Sequence, residues 1–204
     1  MRKNELKNLY DKQAGKYEIL RKKKKSFDHK WRQQLLSFAK GKILEVSVGA
    51  GANFKFYPHT TEITAVDLSG IMIEKAKESA IDSGINANFI TAAVEDLNFE
   101  PESFDTIVST LSLCAYDDPV HVLNLFNRWC KKNGIILLLE HGASKYQFVH
   151  WLQDRLDNFQ FRKIGCHANR DILDIVKRSN LQIEKYDRKL LGAIYLVWSK
   201  PGRK

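Results

Sequence analysis

Two acidic residues and the glycine-rich turn between them are the part of this sequence best suited to binding a small molecule. Glu45 directly precedes the turn Val46–Gly51. Asp67 stands 22 positions after Glu45, at the end of the next apolar run. Small residues where a strand meets a helix let a ligand approach backbone N–H groups. A carboxylate at the adjacent strand end can accept hydrogen bonds from both ribose hydroxyls. The pair predicts a site for a nucleoside-containing cofactor, although the turn alone fits a tight strand–helix connection equally well.

The candidate catalytic groups are one histidine and two tyrosines. His141 directly follows the most apolar run, Ile135–Glu140, and an imidazole titrates near neutral pH, so His141 can serve as a general base. Tyr10 and Tyr17 are seven positions apart and share one helix face, which predicts that they line the acceptor side of the site. The alternatives are structural: a histidine hydrogen-bonded in a loop, and a packing face of the helix.

The cysteines and the remaining histidines show no metal-binding spacing. Cys114, Cys130 and Cys166 are odd in number and widely separated, without a C-x-x-C pair, and no histidines have H-E-x-x-H spacing. We therefore expect neither a disulfide framework nor a bound metal, and Cys114 is assigned no chemistry.

Short apolar runs alternate with amphipathic stretches from residue 42 onward, a rhythm typical of a parallel sheet covered by helices on both sides. Ser69 is predicted to begin one helix and Gly84 to stop it, while Asp118 begins another that closes at Asn133–Gly134. The five strands predicted for this part are residues 43–46, 63–67, 88–92, 104–109 and 135–140.

The last two strands break that rhythm. Residues 181–189 and 193–200 are separated only by Leu190–Gly192, too short a segment for a crossover helix, so they should form an antiparallel hairpin. The predicted fold is α/β, a seven-stranded, mostly parallel, doubly wound sheet with an antiparallel C-terminal hairpin. A nicotinamide-dependent oxidoreductase is disfavoured, because a dinucleotide-binding sheet would be wholly parallel at this end.

Over nearly its whole length the sequence resembles the class I S-adenosylmethionine-dependent methyltransferases. Ile43–Gly51 is similar to the family's first motif, and Asp67 stands at its ribose-binding acid. Tyr10–Tyr17 resembles the Y-D-x-x-A-x-x-Y lid of the quinone- and phospholipid-methylating branch. Residues 111–114 and 138–141 resemble those of phosphatidylethanolamine and thiol methyltransferases.

The resemblance implies the donor S-adenosyl-L-methionine, the product S-adenosyl-L-homocysteine, no metal, and a small-molecule or lipid-like acceptor. It also implies a basic helical lid over residues 1–40 and a methyltransferase domain over residues 41–204. Two positions depart from the family: Ser47 replaces its first glycine, and Ala93 its usual aspartate. The implied cofactor contacts are Glu45 at the methionine amino group, the turn residues Val46, Ser47, Gly49 and Gly51, the ribose acid Asp67, the adenine neighbours Leu68, Met72, Ala93, Val94 and Glu95, and Thr110 and Ser112 beside the methionine.

The positive charge is concentrated at the N-terminal end. The chain carries a formal charge of +9, and residues 1–42 contain 14 Lys or Arg but only 4 acids. The cluster Arg21, Lys22, Lys23, Lys24 and Lys25 is either a solvated face or a contact for anionic lipid. An RNA methyltransferase is the rival that uses this charge, but Ser109–Ser112 lacks the proline and aromatic residue typical of base-methylating enzymes.

The sequence also limits where the protein is expected to act. No apolar run reaches the roughly 20 residues needed to cross a bilayer, and the first charged residues have no apolar segment behind them. We expect a cytoplasmic protein with possible peripheral membrane contact. A non-catalytic protein that uses the fold as a binding module is the second alternative, and the oligomeric state is left open.

Overall fold

The sheet and its helices follow the predicted alternation. The computed structural model describes residues 3–23 and 26–202. The helices in this part of the chain are α1 (Lys3–Lys22), α2 (His29–Leu36), α3 (Gly70–Ser83), α4 (Pro119–Trp129), α5 (Gln147–Ile164) and α6 (Ile172–Arg178). The strands are β1 (Lys42–Val46), β2 (Glu62–Asp67), β3 (Ala87–Thr91), β4 (Phe104–Thr110), β5 (Cys130–His141), β6 (Leu181–Lys189) and β7 (Ile194–Pro201).

The strand order is β3-β2-β1-β4-β5-β7-β6. Strands β1 to β5 pair in parallel, whereas β7 pairs antiparallel with both β5 and β6. The predicted α/β class and the antiparallel hairpin are therefore confirmed. The two halves of the sheet meet where β1 lies beside β4, because the chain builds β1, β2 and β3 on one side and then returns to add β4 on the other. Ligands of such sheets bind outside the carboxyl ends of the strands at this point.

Local signals in the sequence fix the ends of α3. The Ser69 hydroxyl accepts a hydrogen bond from the Met72 backbone N–H at 3.1 Å, which satisfies an otherwise unpaired donor of the first turn. Gly84 ends the helix in the left-handed conformation, with φ +64°. Both ends lie where the sequence predicts them, so Asp67 and the first turn of α3 are held close together.

The end of α4 differs from the prediction. The helix stops at Trp129 and β5 begins at Cys130, whereas Asn133–Gly134 was expected to close the helix. Gly134 instead lies in an irregular stretch of β5, where an added Cβ would be 2.5 Å from the Cys130 sulfur and 2.9 Å from the Asp105 carbonyl oxygen. The glycine signals a close backbone approach between β4 and β5 rather than a helix end.

Each face of the sheet is covered by its own apolar core. Phe126 and Trp129 of α4 fill one face. Leu35 and Leu36 of α2 are fully buried on the other, so α2 belongs to the core. Helix α1 lies over the carboxyl edge of the sheet, where Tyr10 and Tyr17 line a cavity. Among the described residues, no helix is long and apolar enough to span a membrane.

Candidate active site

One cavity opens at the carboxyl edge of β1, β2, β4 and β5, under α1. Its volume is about 1330 Å³, including the solvent space at its mouth. Segments far apart in the sequence meet here because parallel strands end at the same edge of the sheet. The predicted residues that line the cavity are Tyr10, Tyr17, Ser47, Gly49, Asp67, Leu68, Met72, Ala93, Val94, Glu95, Thr110, Ser112 and His141.

Glu45, Val46 and Gly51 are not among the residues that line the cavity, and the cofactor contacts predicted for them, for Glu45 directly or through water, stay predictions. The Glu45 carboxylate is 1% exposed and accepts hydrogen bonds from the Asn53 amide at 2.9 Å and the Tyr57 hydroxyl at 2.8 Å. Burial raises the pKa of Glu45 to about 7. Each Glu45 oxygen accepts a hydrogen bond from one protein partner, so Glu45 holds Asn53 and Tyr57 in place and each oxygen can still accept a second hydrogen bond.

Arg32 is a cavity residue that sequence reasoning missed. Its guanidinium donates to Asp28 at 2.6 Å, to the Asn53 amide oxygen at 2.6 Å and to the Thr110 hydroxyl at 3.2 Å. Only 8% of Arg32 is exposed, yet it lines the cavity and places a positive charge beside the turn after β1. The available signal was Asp28 four positions before Arg32, a spacing that forms ion pairs on a helix.

The turn after β1 is bound to the end of β2. The Gly49 N–H donates to one oxygen of Asp67 at 2.8 Å, and the Ser69 N–H donates to the other at 2.9 Å. Burial raises the pKa of Asp67 to about 6, against the opposing effect of these two N–H groups. Ser47 adopts φ +50°, a conformation that explains why glycine is usual there, and its hydroxyl lies 2.9 Å from that of Tyr116.

Helix α1 is held over the cavity by polar contacts along its length. Asp11 accepts a short hydrogen bond from the Ser69 hydroxyl, and Glu18 pairs with Lys75 at 3.0 Å. The Tyr10 hydroxyl donates to the Gly165 carbonyl at 3.2 Å. Burial raises the pKa of Tyr10 and of Tyr17 above the usual range, so both phenols stay protonated and can only donate or accept a hydrogen bond. The contacts to Ser69 and Lys75 tie α1 to α3.

A buried acid and a half-buried arginine shape the loop after β4. Glu140 is fully buried and accepts hydrogen bonds from the Ser112 and Leu113 N–H groups at 2.8 and 3.1 Å. Arg170 donates to the carbonyls of Leu113 and Tyr116 at 2.8 and 2.7 Å. Sequence reasoning missed both roles, although a charged residue ending the most apolar strand was a signal that Glu140 has fixed partners.

His141 and Cys166 line the far end of the cavity, and Cys114 lies behind them against the same imidazole. Nε2 of His141 lies 3.2 Å from the Cys166 sulfur and 3.8 Å from the Cys114 sulfur. The Cys114 thiol and the imidazole hold the pKa of Cys166 below its usual range. The predicted base His141 thus lies at the cavity, in contact with two cysteines that come from different loops.

The cavity residues suit a nucleoside carrying an amino-acid chain. Asp67 presents a carboxylate at one edge, beside the apolar side chains of Leu68 and Met72. Such a wall accommodates a ribose with its attached flat base. Arg32 and the N–H groups of the turn lie toward the centre, where a carboxylate would find positive partners.

Known proteins resemble this chain in both sequence and fold. A family model described as a methyltransferase domain matches residues 44–138. The mitochondrial methyltransferase OMS1 of Saccharomyces cerevisiae is 31% identical over 95% of this chain and 45% of its own length. The phosphatidylethanolamine N-methyltransferase of Cereibacter sphaeroides is 26% identical over 76% of this chain and 77% of its own. This chain therefore spans less than half of the yeast relative.

A solved structure extends the resemblance to the fold. The YcgJ protein of Bacillus subtilis superposes with a TM-score of 0.67 at 15% identity, over 86% of this chain and 98% of YcgJ. At this identity the match supports the arrangement of the sheet and helices alone.

Proposed function

The chain belongs to the class I S-adenosylmethionine-dependent methyltransferases, and on that premise we propose that it methylates a small-molecule or lipid-like acceptor, leaving S-adenosyl-L-homocysteine. The observation that carries the proposal is a single cavity, with Asp67 at one end and His141 at the other. A donor and an acceptor can therefore meet in one cavity, which is the main requirement of an in-line displacement.

The residues divide the work of binding between them. The cofactor supplies an electrophilic methyl group on a sulfonium sulfur. Asp67 is proposed to accept the ribose hydroxyls, and Leu68 and Met72 to flank the base. Arg32 is proposed to hold the carboxylate of the amino-acid part, and Glu45 its amino group, directly or through water.

His141 is proposed to take the proton of a hydroxyl or thiol acceptor, and an amine acceptor needs only its neutral lone pair. Tyr10 and Tyr17 are proposed to close the cavity from above and exclude water, since their protonated phenols cannot act as bases. The lid role of residues 1–40 is accordingly proposed for α1 alone.

Asp67→Ala is expected to weaken S-adenosylmethionine binding by about 1–3 kcal/mol, because hydrogen bonds to a buried carboxylate are lost. Isothermal titration measures the dissociation constant directly. Glu74→Ala, an exposed acid on α3, is the matched control and should bind as the parent protein does. An unchanged constant for Asp67→Ala would remove this residue from the site.

A transfer assay tests the reaction itself. Donor labelled in its methyl group is incubated with thiols, phenols, quinones, phospholipids and RNA, and the labelled product is identified. Transfer to RNA alone would favour the nucleic-acid alternative. Binding of the donor without transfer to any class would favour a non-catalytic binding protein.

The membrane contact expected at the basic cluster needs correction at its first residue. Arg21 is buried and pairs with Asp82 at 2.9 Å, and Lys22 pairs with Glu18 at 2.5 Å. Lys24 and Lys25 lie outside the described residues. Arg21 therefore joins α1 to α3 and is not available to a lipid headgroup.

Helix α5 offers a better surface for lipid. None of its 18 residues is buried, and Phe148, Trp151 and Phe159 are 74%, 53% and 66% exposed on one face. Arg155 lies over the Trp151 ring and Lys163 over the Phe159 ring. Aromatic residues bordered by cations are typical of helices that lie in the interface of an anionic membrane.

We propose that this face of α5 rests on the membrane and brings a lipid-like acceptor to the cavity. The position of Ile164 supports this, because it ends α5 and also lines the cavity. An acceptor anchored by acyl chains could then reach His141 without leaving the bilayer surface.

The double variant Trp151→Glu/Phe159→Glu is expected to sediment at least about tenfold less with vesicles of phosphatidylcholine and phosphatidylglycerol. The reason is that two aromatic side chains proposed to enter the membrane interface are replaced by charged ones. Phe27→Glu, an exposed aromatic residue away from α5, is the control and should sediment normally. Equal sedimentation of the double variant, or none by the parent protein, would contradict the proposal.

The compartment remains a proposal. The yeast relative is described as mitochondrial, so the cytoplasmic prediction needs its own measurement, such as fractionation of cells that express the full protein.

A further inference from the structure

Three side chains at the acceptor end of the cavity converge on one point. Cys114 comes from the loop after β4, His141 ends β5, and Cys166 follows α5. The two sulfurs and one imidazole nitrogen all lie within 4.8 Å of one another. The sulfur-to-Nε2 distances are 3.2 Å for Cys166 and 3.8 Å for Cys114.

These separations are close to the ligand spacing of a tetrahedral metal site. Zinc binds sulfur at about 2.3 Å and imidazole nitrogen at about 2.0–2.1 Å, which places neighbouring tetrahedral ligands roughly 3.5–3.8 Å apart. The Cys166 sulfur lies 3.2 Å from Nε2 and 3.6 Å from Nδ1, so the imidazole must rotate to direct the Nε2 lone pair at a shared ion. The three donor atoms already lie within 4.8 Å of one another, so rotations of these side chains can bring them onto one ion.

The surroundings favour a cation over two bare thiolates. Cys114 and Cys166 are 1% and 4% exposed, where an uncompensated negative charge is costly. Two thiolates and a neutral imidazole carry a charge of −2, which one divalent ion cancels as the remaining thiol protons are released to solvent. The neighbouring charges, Glu140 and Arg170, are of opposite sign and already hold the loop after β4.

We propose that Cys114, His141 and Cys166 bind one soft divalent cation, with Zn²⁺ as the best match. Two sulfurs and one imidazole select zinc over magnesium or calcium, which require oxygen ligands. No spacing motif marks this site in the sequence, because each ligand lies on a different segment of the fold.

The site would have its fourth position toward the cavity. His141 and Cys166 line the cavity, so the open coordination position of a three-ligand zinc faces the space proposed for the acceptor. A soft donor such as a thiol fits that position, an extension that rests on the proposed methyl transfer. With the ion bound, Nε2 of His141 is a metal ligand and does not act as the base. The ion would then lower the pKa of the acceptor thiol in place of proton removal by His141.

The test is metal binding by the reduced, full-length protein in the absence of methyl donor. Zn²⁺ is titrated against a chromophoric chelator, and Co²⁺ is added separately to record thiolate-to-cobalt charge-transfer absorption. We expect one equivalent of either metal. Cys114→Ser and Cys166→Ser should each weaken zinc binding by at least about 100-fold, since a thiolate ligand is lost.

Cys130→Ser is the matched control, because Cys130 is a buried free cysteine outside the cluster, and it should bind zinc as the parent protein does. The proposal is overturned if the parent protein shows no charge-transfer band with Co²⁺, or if Cys114→Ser/Cys166→Ser binds zinc equally well. Titration with S-adenosylmethionine alongside shows that the variants are folded. It also separates this proposal from the methyltransferase proposal, which survives a failure to bind metal.

Discussion

Arg32→Met is expected to lower the free energy of unfolding by about 3–5 kcal/mol, the cost of leaving a buried ion-pair partner uncompensated. Asp28 is the partner that loses most. Burial raises the pKa of Asp28, but the Arg32 guanidinium and the Ser26 side chain together outweigh burial and hold this pKa below its usual range. The variant also leaves the Asn53 amide oxygen without its donor. Urea denaturation followed by circular dichroism measures the change.

Arg21→Met is the control for Arg32→Met. Arg21 is also buried, but its partner Asp82 is 59% exposed and regains water when the arginine is lost. This ion pair is worth at most about 1 kcal/mol, so the control should remain close to the parent protein. Equal losses for the two variants would show that burial of the arginine stem, and not the stranded carboxylate, determines the cost.

Gly51→Ala is expected to destabilise the protein by about 2–5 kcal/mol. Gly51 has φ +77°, a conformation that costs an L-residue roughly 1–2 kcal/mol. An added Cβ would lie 2.7 Å from the Ser79 Cβ and 2.9 Å from the Phe54 ring, and overpacking of this kind costs about 1–3 kcal/mol more. Thermal unfolding measures the loss as a lower midpoint.

Gly49→Ala separates the two causes. Gly49 has φ +54° but no atom within 4 Å of an added Cβ, so this variant carries the backbone strain without the clash. We expect a loss of about 1–2 kcal/mol. If the two variants lose the same stability, the close packing of the turn against α3 contributes nothing. The proposal that Gly51 is needed for this close packing would then be wrong.

The predictable part of this protein is the part governed by local chemistry. The Ser69 cap and the Gly84 stop of α3 depend on residues within a few positions of each other, and both ends were placed correctly. The short Leu190–Gly192 connection allowed only a hairpin. The shared edge of the parallel strands then placed Asp67 and His141 on one cavity.

What the sequence did not predict are the side chains that find partners elsewhere in the fold. No motif indicates that Asn53 and Tyr57 donate to the Glu45 carboxylate. Arg32 lies beside the apolar residues Trp31, Leu35 and Leu36 in a segment that was predicted to be a lid, so it was not predicted to be a site residue. The convergence of Cys114 and Cys166 on His141 likewise depends on three loops whose meeting no spacing rule describes.

The position of β7 between β5 and β6 has a consequence for how the protein is made. Strands β1 to β5 leave the ribosome first, and the apolar edge of β5 has no partner until residues 194–201 are also synthesised. An unpaired edge of this kind readily associates with other nascent chains. The last two of the seven strands therefore join the sheet only after translation has passed residue 201, and a chaperone that covers the β5 edge is most useful before then.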